Sequence, residues 1–196
     1  MPKISDEHRE RRRRQILEAA WRCFQREGVQ GTRIEQILAE SGLAASALYR
    51  YFTNKDAIIL AAIEHSMRGL SQILEPLVER GDEIGPAAFV GQVSQRVRRF
   101  SERSGYNLMS IAVHGWSEAQ RNPQVRTLLA AYYAAFRDRL AAKAARWQVL
   151  ALVRPDADPR DVAQALLSLV LGDVVQAAVV GLVEADATSR GIAALR

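Results

Sequence analysis

The run TRIEQILAESGLAASALYRYFTNKD, residues 32–56, decides how the chain is to be read. Thr32 stands three residues before Glu35, the spacing of a capping box, and Ile34, Ile37 and Leu38 follow at helical intervals. These residues predict a short helix from Arg33 to Glu40. Ser41-Gly42 interrupts it. A further short helix runs from Ala45 to Tyr51 with Leu48 and Phe52 turned inward, and Thr53-Asn54-Lys55-Asp56 repeats the capping logic to launch a longer helix toward Leu74. Two short helices about one glycine turn make a helix-turn-helix pattern. Spacing alone leaves two readings open, a DNA reader or an ordinary helical hairpin whose tyrosines cover a core. On the exposed side, Ala45, Ser46 and Ala47 are small enough to let a helix backbone sink into a major groove. Tyr49, Arg50, Tyr51 and Lys55 offer phosphate donors around it.

Working outward, Ile16 or Leu17, Ala20, Trp21 and Phe24 keep one apolar stripe from Glu10 to Arg26, and Gly28 follows where a left-handed cap is wanted. Ahead of that helix lies Arg11-Arg12-Arg13-Arg14, with Arg9 and Lys3. Six basic and three acidic residues in the first 14 give a local +3 out of a total of +5. Cations at a helix N-terminus oppose the macrodipole, so folding alone does not account for them. Arg12 and its neighbours fit an arm or first turn beside a phosphate, against the alternative of a solvated face.

Beyond Pro76 the composition shifts, and Gly81, Gly85 and Pro86 mark a connection. Helices follow at Ala87 to Glu102, Asn107 to Gln120 and Pro123 to Trp147. Asp158 caps a last helix from Arg160 to Glu184 with Pro159 in its first turn, after which residues 185–196 lose periodicity. No useful run alternates with period two, so the fold class is all-α. The division suggested is a helix-turn-helix domain at 1–56 and a larger helical body at 57–196.

Several classes fall away. A chain of 196 residues with 48% hydrophobic content is neither disordered nor a stapled miniature, and the single Cys23 can close no internal disulfide. His8, His65 and His114 lie too far apart for a zinc site, and no cofactor or metal is expected. No G-x-S-x-G, P-loop or dinucleotide fingerprint appears, so no catalytic residue is proposed. The charged N-terminus gives no signal peptide, and Val162 to Val183 carries Asp173 in mid-run, which favours a helix buried against protein over a membrane span. A cytoplasmic location follows.

Ile16, Ala19-Ala20, Phe24, Gly28, Thr32, Ile37, Gly42, Leu48-Tyr49, Phe52 and Lys55 fall in order and spacing on a known pattern. The stretch from Ile16 to Ile59 resembles the DNA-binding region of the TetR family of transcriptional regulators. That resemblance implies a recognition helix at Ala45 to Tyr51 and phosphate contacts from Tyr49, Tyr51 and Lys55. It also implies a helix cap at Thr32 that touches phosphate, a base-edge contact from Arg33 and a phosphate contact from Arg50. Two positions depart from the family. Ala44 and Ala45 stand where a small hydroxyl cap and a polar residue are common, leaving Ser46 to supply local hydrogen bonding. Readout would then rest on Arg33, thymine methyls and DNA shape.

The resemblance further implies a homodimer on a palindromic operator of double-stranded DNA, built on the two long last helices. Leu169, Gly172, Val175, Gln176, Val179 and Gly181 are the candidate interface. The alternative is a helix buried within one subunit. It implies an effector pocket in the body, for which Met67, Leu70, Phe89, Val93, Phe100, Tyr106, Met109, His114 and Trp116 are candidates; each is otherwise plain core. No acidic or basic cluster accompanies them, which favours an uncharged or weakly acidic lipophilic effector. A repressor is the leading reading. An activator of the same fold, or a helical interaction protein that binds no DNA, are the alternatives.

Overall fold

Apolar residues at helical spacing build nine helices in the computed structural model, which describes residues 6–80, 84–103, 107–181, 184 and 186–195 and shows no strand among them. The first, α1 (Asp6–Gly31), starts four residues before the periodicity predicts. Asp6 and Glu7 occupy its first turn, complementing the macrodipole, and the arginine run falls in later turns. The opposition to the dipole inferred from sequence therefore does not arise. Gly28, at φ 73° and ψ 160°, breaks the helical track near its end, a backbone that a side chain would strain.

Next come α2 (Ile34–Ser41) and α3 (Ala45–Tyr49), separated by Gly42 at φ 64°, whose N–H closes on the Leu38 and Ala39 carbonyls. The helix α4 (Lys55–Arg80) begins where Asn54 Oδ1 accepts the Ala57 N–H at 2.8 Å, and it passes through Pro76 instead of stopping there. Arginines from elsewhere serve carbonyls in this stretch. Arg96 donates to the Ile73 carbonyl at 3.0 Å and Arg146 to the Val78 carbonyl at 3.0 Å.

The remaining elements are α5 (Pro86–Arg103), α6 (Leu108–Ala119), α7 (Pro123–Val149), α8 (Pro159–Val179) and α9 (Ala187–Ala194). Asn107, Asn122 and Asp158 cap α6, α7 and α8 through their side-chain oxygens. Where the periodicity carries α8 to Glu184, the structure ends it at Val179. The N–H groups of Val180 and Gly181 both reach the Gln176 carbonyl, and Gly181 at φ 98° turns the chain away. Gly181 is thus a terminator and not a helical contact residue. The segment read as aperiodic forms α9, which lies on α5. A Cβ at Gly91 would stand only 3.1 Å from Ser189 Cβ, and Asp173 on α8 accepts hydrogen bonds from Ser94 on α5 (2.7 Å) and Thr188 on α9 (2.6 Å).

One apolar cluster runs from Ile16 to Val170. At one end Trp21 and Phe24 meet edge to face at 5.5 Å, and the Trp21 indole donates to the Ala62 carbonyl, tying α1 to α4. At the other, Phe89 and Trp147 meet in the same manner, with the fully buried Lys143 ammonium over both rings at 5.6 and 5.3 Å. Helix α4 belongs to both ends, packing on α1 early in its course and on α5 and α7 later.

Candidate nucleic-acid interface and effector cavity

The surface around α2 and α3 rests on few anchors. Leu48, fully buried, and Phe52 hold α3 down, while Glu40 on α2 takes two arginines from α1, Arg22 at 2.6 Å and Arg26 at 3.1 Å. Those hydrogen bonds hold the Glu40 carboxyl below its ordinary range. Above the anchors, Ala44, Ala45, Ser46, Tyr49 and Arg50 are exposed, and Ala47 and Tyr51 are half-buried. Tyr49 keeps 52% of its surface in solvent although it is a large aromatic. Helix α3 spans only Ala45–Tyr49; Arg50 is its cap residue and Tyr51 lies beyond it. No side chain caps its start, so neither Ala44 nor Ser46 supplies the missing bond.

Arg33 is the residue before α2 and is exposed. Its own N–H donates to Gln36 Oε1 at 2.6 Å, the returning half of a capping box. Thr32, which spacing predicts as the cap, is 1% exposed, and its hydroxyl donates back to the Gly28 carbonyl at 2.8 Å. Thr32 thus closes the end of α1, and so little exposed surface offers a phosphate almost nothing. Lys55 donates from Nζ to the Gln30 carbonyl at 2.9 Å, on the same corner of α1.

The arginine run is helix, not arm. Arg12 donates to Gln15, whose amide donates to the Ser41 carbonyl at 2.7 Å, and the Arg13 guanidinium lies 5.7 Å from the Phe52 ring centre. Arg11 and Arg14 are exposed beside them. The run therefore braces the helix-turn-helix while keeping part of its charge in solvent.

Deeper in the body is a cavity of about 720 Å³, including its open mouth, walled by α4, α5, α6, α7 and α8. Four of the candidates line it: Met67 and Leu70 from α4, Met109 and Trp116 from α6. Phe89 and Val93 do not: both are fully buried core nearer the start of α5 than Val97, the α5 residue that does line it, and Phe89 packs on Trp147. Phe100 packs instead across Gly69, where a Cβ would stand 2.9 Å from its ring. His114 also lies elsewhere: it is two residues from both Ala112 and Trp116, so the helix turns it to the opposite side, where burial pushes its imidazole below the usual value. Tyr106 lies outside the described residues.

The wall that sequence reasoning missed comes from α7 and α8. Tyr132, Tyr133 and Phe136 face Leu167, Val170, Leu171 and Val174 across the cavity. Aromatics at i and i+4 on α7 were the available signal. Trp116 Nε1 donates to Tyr133 Oη at 2.7 Å, and burial raises the Tyr133 phenol above its ordinary value. Helix α8 is apolar on two sides, which is why it is long and apolar enough to cross a membrane by composition. One side lines the cavity. On the other, Leu169, Val175, Gln176 and Val179 are exposed, and a side chain at the half-buried Gly172 would meet nothing within 4 Å.

A braced helix-turn-helix with an exposed arginine and tyrosine, set on a helical body with an apolar cavity, defines a class of DNA-binding regulator. Comparison with known proteins agrees. Residues 16–62 match the family model for bacterial regulatory proteins of the tetR family, and residues 100–194 match that for the C-terminal part of BetI-type transcriptional repressors. The HTH-type transcriptional repressor Rv1474c of Mycobacterium tuberculosis is 28% identical over 180 residues, 87% of this chain and 84% of that one. The HTH-type transcriptional regulator BetI of Brucella anthropi is 30% identical over 133 residues, 67% of this chain and 66% of that one. A transcriptional regulator from Saccharomonospora viridis, solved in complex with choline, superposes with a TM-score of 0.74 at 22% identity, covering 95% of each chain. The chain belongs to the TetR family: it is a helix-turn-helix transcriptional regulator, and the proteins it matches are regulators and not enzymes.

Proposed function

We propose that this regulator is a cytoplasmic repressor that binds a palindromic operator as a homodimer and leaves it when a lipophilic small molecule enters the body. In this reading residues 1–56 form the DNA-binding domain and 57–196 the effector and dimerisation domain. Arg33 reads a base edge, Tyr49, Arg50, Tyr51 and Lys55 hold phosphates, and Ala44, Ala45, Ser46 and Ala47 lie against the groove. The observation that carries it is α4. Its first residue, Lys55, belongs to the DNA face, and Met67, twelve residues or about 18 Å along the helix, lines the cavity. A ligand that favours one placement of α4 thereby changes the separation of two recognition helices, which must match grooves about 34 Å apart. Only differential affinity for the two placements releases DNA. The choline-bound relative of the same fold supports a ligand role for the body.

Dimerisation through α7 and α8 has its support in the exposed apolar side of α8, where Val179 is 68% exposed. The test is selection of bound fragments from genomic DNA by purified protein, followed by sedimentation. The expected result is a palindrome preferred over its scrambled version and a dimer that Val175→Glu with Val179→Glu converts to monomer. Equal binding to scrambled DNA would overturn the operator, and an unchanged sedimentation coefficient would overturn the interface.

A further inference from the structure

We infer that the cavity takes an uncharged lipophilic molecule carrying a carbonyl-type hydrogen-bond acceptor, and that Tyr133 is the group that anchors it. The inference rests on the reading of this cavity as the effector site and gives the ligand its chemistry.

Among the described residues lining the cavity there is no Asp, Glu, Lys, Arg or His. A charged ligand group placed there would lose its hydration with no partner of opposite sign, and burial of an unpaired ion is among the costliest events in a protein interior. Quaternary ammonium ions are a special case, since aromatic rings alone can hold them. Here rings form only part of the wall. Aliphatic and thioether side chains, with the Ser71 hydroxyl, make up the rest. Met67 and Met109 are suited to close around an irregular apolar shape.

The polar groups of the lining are the Ser71, Tyr132 and Tyr133 hydroxyls and the Trp116 indole N–H, and the Trp116 and Tyr133 groups are joined to each other. Because Tyr133 Oη already accepts the Trp116 indole N–H at 2.7 Å, the indole donor is engaged and the phenol oxygen has one fewer lone pair to offer. Its own proton has no acceptor within hydrogen-bonding distance among the described residues. A half-buried phenol on an apolar wall with an unassigned proton favours a ligand that supplies an oxygen acceptor. Burial raises the phenol above its ordinary value, so that proton stays in place at neutral pH. The indole N–H pointing at Oη polarises the O–H toward stronger donation.

The experiment compares three head groups on near-equal chains, 2-undecanone, undecanoate and decyltrimethylammonium, by calorimetric titration of the full-length protein below their micelle concentrations. The ketone is expected to bind at least tenfold more tightly than either ion. Infrared spectra of carbonyl-labelled ketone should show a lowered stretching frequency on binding. Tyr133→Phe, which keeps the ring, should weaken the ketone about tenfold and return the stretch toward its apolar-solvent value. Trp116→Phe with Tyr133→Phe removes the phenol and the indole N–H together, so that the freed indole cannot substitute. Tighter or equal binding of either ion, failure of all three to bind, or a carbonyl stretch unmoved in both variants would overturn the assignment. If the ketone binds as described but leaves operator affinity unchanged, the ligand chemistry stands and the effector reading of the cavity fails.

Discussion

Helices α3 and α8 are opposites. The first is five residues long, with no side-chain cap, anchored by Leu48 and flanked by the exposed Ala44, Ala45 and Tyr49; the second is 21 residues long and apolar on two sides. A short helix without a side-chain cap is held by burying Leu48 and the following Phe52 in the shared core. A long apolar helix can serve two surfaces at once, one lining the cavity and one exposed. The difference teaches that the DNA-binding end depends on its braces, whereas the body depends on how faces are shared out.

The harshest way to break that contrast is at the brace. Phe24→Ala empties a fully buried site against Trp21 and should cost about 3–5 kcal/mol. Followed by circular dichroism during denaturation, the variant should lose its N-terminal helices before those of the body. One cooperative transition would show instead that the shared core makes a single folding unit. Milder is Arg33→Ala, which leaves the fold intact and should cost operator binding about 1–3 kcal/mol while relaxing preference at one base pair. Lys55→Ala should weaken all sequences alike and lower the salt slope by about one, both read by fluorescence anisotropy. Equal loss on operator and scrambled DNA for Arg33→Ala would move that residue to the backbone contacts.

The smallest effects come from two histidines, His65 on α4 and His114 on α6. Burial, then the nearby Arg14, holds the His65 imidazole on α4 below its ordinary 6.5, while burial alone lowers His114. Each folded-state value is depressed, so the unfolded chain binds more protons, and stability falls as pH drops from about 7 through the unfolded value near 6.5 toward the folded one. Denaturant midpoints against pH should flatten in His65→Gln and in His114→Gln. Added salt should reduce the His65 contribution, which has a Coulomb part, and leave that of His114. Identical salt responses would remove the arginines from the account.

How much of this was legible follows the same division. Gly42, the i, i+3, i+4 spacing in α1, Asn54 ahead of α4 and Asp158 ahead of α8 act on their immediate neighbours, and a linear reading finds them. Thr32 was misread because its hydroxyl has a backward partner, the Gly28 carbonyl four residues behind, that competes with the forward one three residues ahead. Pro76 was misread because it removes one helical bond, the one to the Gln72 carbonyl, which the packing of α4 on α5 and α7 outweighs, and that packing is not written in the local sequence. The cavity was half legible. Met67, Leu70, Met109 and Trp116 lie on helices already assigned to it, but Tyr132, Tyr133 and Phe136 lie on one assigned wholly to dimerisation, and no periodicity says that a helix works on two sides.

The corner between α1 and α2 has a consequence for the entropy of recognition. Thr32 returns both its N–H and its hydroxyl to one carbonyl, that of Gly28, and Gln36 holds the N–H of Arg33 from the other side. The backbone that carries Arg33 is thus immobilised before any DNA arrives, and only the rotamers of its exposed side chain remain to be frozen on binding. Ordering such a side chain costs about 0.5–1.5 kcal/mol, against 1–2 kcal/mol more for each backbone residue left loose. Loosening this corner, as with Thr32→Ala, would therefore weaken operator binding through lost preorganisation alone, with every DNA-facing side chain still present.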